Sequence, residues 1–557
     1  MNVVLRKPGK GNHMHHQTFS TGLFSPMSTH KYAQHSLFSL PKVTQSLFPS
    51  VAVSGDNRDQ GSPHRVLATP ASASRRSRAG IGQPDVTIDM LHDDVLLETF
   101  DFYRRLVAWH DGLWMWQKLL HVCRRWRYIV LASPRRLDLQ IECHRSTPTR
   151  KLLDIWPPFP ISISSYPWSR EGTRGNHNIF AALQQPNRIS QIDFSDISGM
   201  EVEQFAAAMD EPFPILTDLC IQTLDMDTDL ELPVTAELPD SFLGGSAPRL
   251  QSFDLEGIAF PALPNLVLSA SRFQYLHLLR IPHAGYIPPE AMLTFLLPLH
   301  NLKDLTVGFT SRESCPLQIS PPPLTKALLP SLTGFQFDGA SEYLMDFIAR
   351  IDTPMLNIFQ MTFFSDDIPN ISQLHTFIDR TEGLKTFIQA EVYFRPWEVQ
   401  AVFKSPANLR LNITCEVSDW PLQSMTQLCE QLLTIPSQVE HLELCGEACD
   451  ELDFLMEEDW EEDLDDTFWP QLLIMFVSVK SLYISKRLGP FVASALENLT
   501  RESATEVLPT LNELFLEDSG PSGFVKENVE SFVSIRQLSG HPIVVRRWER
   551  KRKSALG

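Results

Sequence analysis

The sequence predicts an α/β chain: a short three-helix module, then one long repeat body in which parallel strands alternate with helices. A disordered tail precedes both. Three observations predict this. A compact stretch of helical periodicity occupies 85–150. A short apolar pattern recurs in order twelve times across 185–540. Residues 1–84 are rich in Ser, His and Pro, a composition that cannot bury enough apolar surface to fold.

The tail comes first. It has no compact apolar stretch and no cleavage-like site, so it does not read as a secretory signal. Its shortage of acids and its Arg75, Arg76 and Arg78 overlap the composition of mitochondrial transit peptides, and a disordered basic tail is the reading taken. Residues 1–84 carry +8 and residues 541–557 carry +5, so 85–540 hold −32 of the net −19. An acidic body disfavours nucleic acid, which is bound by neutralising phosphates. No run of about 18 apolar residues spans a membrane. The eight cysteines are scattered, as reduced thiols of cytosol or nucleus are. The basic run Arg546–Lys553 fits a nuclear localisation patch.

The module begins after Pro84. Asp93 or Asp94 can cap a helix whose stripe is Val95, Leu96, Thr99, Phe100 and Tyr103. His110-Asp111-Gly112 ends it. A second pattern runs through Trp116, Leu119, Leu120 and Cys123. A third carries Trp126, Ile129 and Val130 and stops at Ser133-Pro134. Three helices in about fifty residues make a marginal core, so the module needs docking to its own chain or to a partner.

These residues resemble an F-box, especially the fungal form. The resemblance covers Met90–Tyr128 and rests on Leu91, Asp93–Phe100 (DDVLLETF) and Lys118–Val130 (KLLHVCRRWRYIV). The family usually opens its first helix with Leu-Pro, where this chain has Leu91-His92, and Ala108–Trp116 reads as an insertion. The resemblance implies docking to a Skp-type adaptor and, through it, to a cullin ubiquitin ligase. By position the adaptor-facing residues are Leu91, Val95, Leu96, Phe100, Leu119, Leu120, Val122, Cys123 and Trp126. Some of these must instead form the module's own core. Cys123, beside Arg124 and Arg125, reads as a packing residue rather than a reactive thiol.

After a connector at 151–184, the body spans 185–540. Its pattern is apolar-x-x-apolar-x-apolar, as in Ile189-Ile192-Phe194, Leu250-Phe253-Leu255 and Leu511-Leu514-Leu516. The middle positions are 192, 219, 253, 276, 305, 335, 359, 387, 411, 442, 482 and 514, those at 387 and 411 in weaker copies. Intervals of 23 to 40 residues sit at or above the 20–29 of a leucine-rich repeat. The body thus resembles an irregular leucine-rich-repeat solenoid, implying parallel strands on a concave face and helices outside. The standard repeat's buried Asn is absent; Ile258, Ile281 and Ala340 occupy three of its slots. Helices are expected at Glu201–Met209, Glu290–Leu297, Tyr343–Ile351, Ile371–Thr381 and Ser424–Leu433.

The longest interval holds an acidic insertion, Glu447–Asp466, with twelve Asp/Glu and no Lys/Arg. Its ordinary reading is a solvated loop. Its sharper one is an anionic dock for a basic partner segment or for the basic C-terminal tail. Phe454, Glu457, Glu458, Asp459, Trp460, Glu461, Glu462 and Asp463 would form that dock, with Phe468 and Trp469 beside it. Phosphate-loop, dinucleotide, zinc-protease and hydrolase motifs are missing. Asp225-Asp227-Asp229 fails as a calcium loop because Leu230 stands where Gly is needed. Cys445 and Cys449 lack a second metal-binding pair. The expectation is therefore a receptor without catalysis, cofactor or metal. It would bind a Skp-type adaptor and an unidentified protein target, in cytoplasm or nucleus, with no nucleic acid or membrane. The alternative is an interaction scaffold whose F-box-like module does not engage the ligase.

Overall fold

Three helices precede a sheet that runs through most of the chain. The computed structural model describes residues 88–107, 115–133, 139–145, 148–156, 158–165, 175–223, 236–311, 326–364, 371–395, 398–404, 406–414, 421–446, 468–499, 503–517 and 523–549. A single turn of 3₁₀ helix at Ile88–Met90 leads into α1 (Asp93–Val107), with Asp93 and Asp94 in the first turn, where carboxylates favour the helix dipole. α2 (Met115–Val122) and α3 (Arg124–Ala132) follow. Cys123 has extended backbone, and its Sγ accepts the Trp126 N–H at 3.4 Å, so it is the N-cap of α3. Phe100 and Trp126 pack with ring centroids 4.6 Å apart. Arg125 reaches back to Asp93 (Nε to Oδ1, 3.0 Å) and to the Leu91 carbonyl. These contacts tie α3 to the start of α1.

The array begins with β1 (Leu139–Glu142), α4 (Thr149–Ile155), β2 (Ile161–Ser165), α5 (Asn176–Leu183), β3 (Ile189–Ile197), α6 (Gly199–Ala207) and β4 (Asp218–Thr223). Next come β5 (Ala236–Glu237), β6 (Ser252–Glu256), β7 (Ile258–Ala259), α7 (Leu263–Leu268), β8 (Tyr275–Ile281), α8 (Pro289–Leu296) and β9 (Asp304–Phe309). The middle holds β10 (Ala327–Leu328), β11 (Gly334–Gly339), α9 (Ser341–Arg350), β12 (Ile351–Asp352), β13 (Ile358–Phe363), α10 (Ser372–Arg380), β14 (Gln389–Arg395), β15 (Glu398–Lys404), β16 (Asn408–Thr414) and α11 (Pro421–Gln431). The last part is β17 (His441–Gly446), α12 (Phe468–Leu473), β18 (Ser481–Ile484), α13 (Gly489–Glu497), α14 (Ser503–Glu506), β19 (Glu513–Glu517), α15 (Gly523–Leu538) and β20 (Val544–Trp548).

Among the described residues sixteen strands make one sheet, ordered β1-β2-β3-β4-β6-β8-β9-β11-β13-β16-β15-β14-β17-β18-β19-β20. All neighbours are parallel except β15, which is antiparallel to both β14 and β16. Two small parallel pairs, β5–β7 and β10–β12, stand apart. Parallel pairing requires a crossover between consecutive strands, and a described α-helix lies in most of these crossovers. This mixed α/β chain with its long parallel sheet fits a leucine-rich-repeat-like solenoid.

The register explains the repeat. Ile192, Leu219, Phe253, Leu276, Leu305, Phe335 and Phe359 are successive cross-strand partners. So are Leu442, Leu482 and Leu514. Each is at most 1% exposed, because side chains two apart on a strand share the face that the helices cover. One contiguous apolar core runs from Leu96 to Ile543, so the helical module shares it with the array.

Four features depart from the expected boundaries. The array starts at Leu139 rather than 185, and 151–184 is part of it rather than a connector. β2 reads Ile-Ser-Ile-Ser-Ser without a leucine, behind Pro157, Pro158 and Pro160, which is why it looks like linker. β15 carries no copy of the pattern, because it is an inserted antiparallel strand; the Arg395–Glu398 ion pair (2.8 Å) closes its hairpin. Beside it the two weak copies shift: Ala390, not Phe387, and Leu409, not Leu411, share the Phe403 row. Finally, the basic tail 541–557 contains β20.

The missing Asn ladder is replaced by other links between turns. Backbone N–H groups of Thr217, Lys303 and Thr333 each donate to the preceding repeat at 2.8 Å. Hydroxyls repeat the step: Thr217 to the Ser190 carbonyl and Thr333 to the Lys303 carbonyl, both at 3.0 Å. Three arginines do the same by side chain. Arg188 donates to the Leu153 and Phe159 carbonyls at 3.3 Å, and Arg380 to those of Ile348 and Ile351. Arg536, 0% exposed, donates to those of Ala504, Leu508 and Pro509 at 3.1–3.3 Å.

Gly257 is a turn glycine that the stacking demands. Its φ is +73°, and a Cβ there would lie 2.1 Å from Thr223 Oγ1. Gly257→Ala is expected to cost about 1–3 kcal/mol, from left-handed backbone plus the clash. The midpoint of urea unfolding reads this directly.

Candidate functional site

Two surfaces offer themselves: the outside of the helical module and the sheet face away from the helices. On the module the structure sorts the nine adaptor-facing candidates. Leu96 (1% exposed) and Phe100 (7%) are core residues. Leu91, Leu119, Leu120, Cys123 and Trp126 are half-buried. Val95 (49%) and Val122 (58%) are exposed, as are Ile88, Met90, Phe102 and Tyr128. Sequence reasoning missed these last four, because an apolar side chain in a helical pattern reads as core. His92 starts α1 without proline: its carbonyl accepts the N–H groups of Val95 and Leu96 at 3.1 Å. Its Nδ1 lies 3.2 Å from Asp94 Oδ2.

The open sheet face is polar because it bears the residues between the apolar positions. From β3 to β9 it is acidic, with Asp193, Asp218, Asp254, Glu256 and Asp304. His277 sits 3.6 Å from Asp254 and 3.4 Å from Asp304 on the flanking strands. The Asp254 carboxylate first and then that of Asp304 raise its pKa to about 9, so it is an imidazolium at neutral pH and offers no base. Arg280 pairs with Glu256 at 3.0 Å. Cys220 lies between Asp193 and Asp254; burial first, then Asp254, raises its thiol far above the ordinary range. It is no nucleophile.

In the middle of the face Asp338 lies near Glu398. Burial, then the Glu398 charge, raises its pKa to about 7. A folded-state pKa above the unfolded value stabilises fully below the unfolded pKa, and that stabilisation is lost as pH rises through 7. Asp338→Asn is therefore expected to gain stability relative to wild type between pH 5 and pH 8, by a few kcal/mol at most. Paired thermal melts at the two pH values check this; a pH-independent difference contradicts it.

At the far end three aromatic rings share the face. Tyr483 and Phe515 stack with centroids 4.3 Å apart, and Trp548 meets Tyr483 edge-on at 5.3 Å. Trp469, placed by sequence beside the acidic insertion, is instead 0% exposed and packs on Phe394 at 5.3 Å. It is a core residue, not an anchor. The dock candidates Phe454, Glu457, Glu458, Asp459, Trp460, Glu461, Glu462 and Asp463 lie outside the described residues. Among the described residues no cluster of three or more His, Cys, Asp or Glu is placed to hold a metal. No described helix is long and apolar enough to cross a membrane.

No protein-family model matches the chain, and no curated protein matches it. Among solved structures it is similar to the leucine-rich repeat-containing protein LegL7 from Legionella pneumophila. The identity is 12% over 73% of this chain and 99% of that one, with a TM-score of 0.24.

Proposed function

We propose that the chain is the target-binding subunit of a Skp/cullin/F-box type ubiquitin ligase, working in cytoplasm or nucleus. The helical module docks the Skp-type adaptor, and the repeat body holds a protein target. The chain makes and breaks no bonds; it raises the effective concentration of the target near the transferase. One observation carries this reading. Six large apolar side chains, Ile88, Met90, Val95, Phe102, Val122 and Tyr128, are exposed within one short module whose buried residues Leu96, Phe100, Ile129 and Val130 already pack into the core shared with the array. Six such side chains on so short a segment support a protein interface there. The free cysteines Cys123, Cys143, Cys220, Cys429 and Cys445 fit a reducing compartment.

The competing reading, a scaffold that has left the ligase, draws on His92 in place of the family's proline. The backbone bonds of His92 weaken that reading, since α1 starts in helical geometry without the ring. Purification of the tagged full chain from cells tests the choice: the Skp-type adaptor and a cullin come down with it, or the ligase assignment falls.

A further inference from the structure

We propose that the outer edge of β20 takes an extended acidic segment of another protein as one more strand of the sheet. This edge is independent of the ligase reading. β20 is last in the order of the sixteen-stranded sheet and pairs with β19 alone. Val545 stands opposite Leu514, so it continues the core row of Leu442, Leu482 and Leu514. Those three are 0% exposed, whereas Val545 is 42% exposed. Val544 is exposed as well, and so is Leu538 at the end of α15, the helix that leads into β20. The apolar row therefore runs out uncovered at this end, where one further strand buries it.

The backbone is open on the same side. The Val544 N–H donates to the Asn512 carbonyl at 2.9 Å. In a parallel ladder successive residues turn their polar groups to opposite sides, so Val545 points its N–H and C=O away from β19. Among the described residues no strand lies beyond to meet them. An unpaired strand edge is a template for another extended chain, whose backbone supplies both a donor and an acceptor. Five residues at about 3.3 Å each give about 17 Å of edge, room for a segment of about five to seven residues.

Charge chooses the occupant. β20 carries Arg546 and Arg547, and Arg550-Lys551-Arg552-Lys553 follow in the sequence, so 541–557 hold +5. The acids that β19 sets opposite are already engaged. Glu513 pairs with Arg546 at 2.9 Å, and Glu517 accepts the Lys486 N–H at 2.8 Å. A second copy of β20 brings arginines against arginines, and like charges directly opposite destabilise a strand pair. An acidic strand meets the opposite sign. Nucleic acid has the sign but not the bonding pattern, because phosphates only accept and leave the Val545 carbonyl without a donor. The −32 of residues 85–540 also repels a long polyanion, whereas a short acidic segment adds few charges.

The test titrates the full chain into a fluorescent heptapeptide of alternating glutamate and valine and follows anisotropy at low salt. This peptide binds, and a lysine–valine heptapeptide does not. Two further glutamate–valine peptides carry N-methyl groups on alternate backbone nitrogens, one on the glutamates and the other on the valines. One keeps its binding and the other loses it by about tenfold or more, because an added strand turns only one of its edges to β20. In Val545→Pro the ring removes the outward N–H and leaves the bonds to β19. Binding of the unmodified peptide falls by about tenfold or more there, with circular dichroism unchanged. If Val545→Pro does not fold, the methylated pair alone decides. Equal binding of the glutamate and lysine peptides, equal behaviour of the methylated pair, or full binding by folded Val545→Pro overturns the proposal. So does the failure of every peptide to bind, which makes the arginines a guard against edge pairing. Self-association of the chain that is lost in Val545→Pro gives the edge to a second copy. A single-stranded oligonucleotide that displaces the peptide gives it to nucleic acid. Either result overturns the proposal too.

Discussion

Arg536→Met is expected to destabilise the C-terminal turns of the array by about 3–5 kcal/mol, the cost of breaking a buried charged hydrogen-bond network. The side chain is 0% exposed, and its guanidinium donates to three carbonyls, those of Ala504, Leu508 and Pro509. Burial lowers its pKa, so the charge is held against desolvation by those bonds alone. Methionine fills the volume but has no donor; the Ala504 and Pro509 carbonyls lose this partner, while that of Leu508 keeps the Leu511 N–H at 3.0 Å. Leu508 adds to the effect, since its φ of +50° is strained backbone for a leucine and its carbonyl is one of the three acceptors. A solenoid is held by nearest-neighbour interfaces, so the loss is local first. Amide exchange reads it as early deprotection of β19 and β20, with β3 to β9 unchanged. Uniform exchange along the chain, or a urea midpoint equal to wild type, contradicts this account of Arg536.

Substitutions in the helical module are expected to separate docking from folding. Val95→Glu and Val122→Lys change exposed side chains with charges that suit their helix ends, an acid in the first turn and a base in the last. Both are expected to keep the helical signal and to lose the Skp-type adaptor by about tenfold or more, because a charge then sits in an apolar contact. Phe100→Ala removes a ring that packs on Trp126 and is expected to cost about 3–5 kcal/mol of module stability. Adaptor loss with intact helices in the first two, and loss through unfolding in the third, is the predicted pattern. Full adaptor binding by Val122→Lys breaks it.

The repeat body was legible in the sequence because its period is enforced by physics. A residue such as Phe335 or Leu482 must fill the same row of one core in every turn, so apolar identity survives where exact spacing does not. What failed were elements without that constraint. β15 pairs antiparallel and needs no copy of the pattern, and β2 fills its row with Ile161 and Ile163 among serines. Trp469 misled because it follows an acidic run, yet it packs on Phe394. The arginine links were invisible for a different reason: Arg188, Arg380 and Arg536 donate to carbonyls brought near only by the stacking of turns. On the module, periodicity marked the apolar stripe but not its depth. Leu96 and Val95 are adjacent in sequence, and one is core while the other faces solvent.

The most direct measurement is calorimetric titration of purified Skp-type adaptor into the full-length chain, with Val122→Lys as the matched control. One-to-one binding at about micromolar affinity or tighter, lost in Val122→Lys with its helices intact, is the predicted result. No heat of binding from the wild-type chain, or the same affinity in the control, would contradict the central claim that this exposed module is a ligase dock.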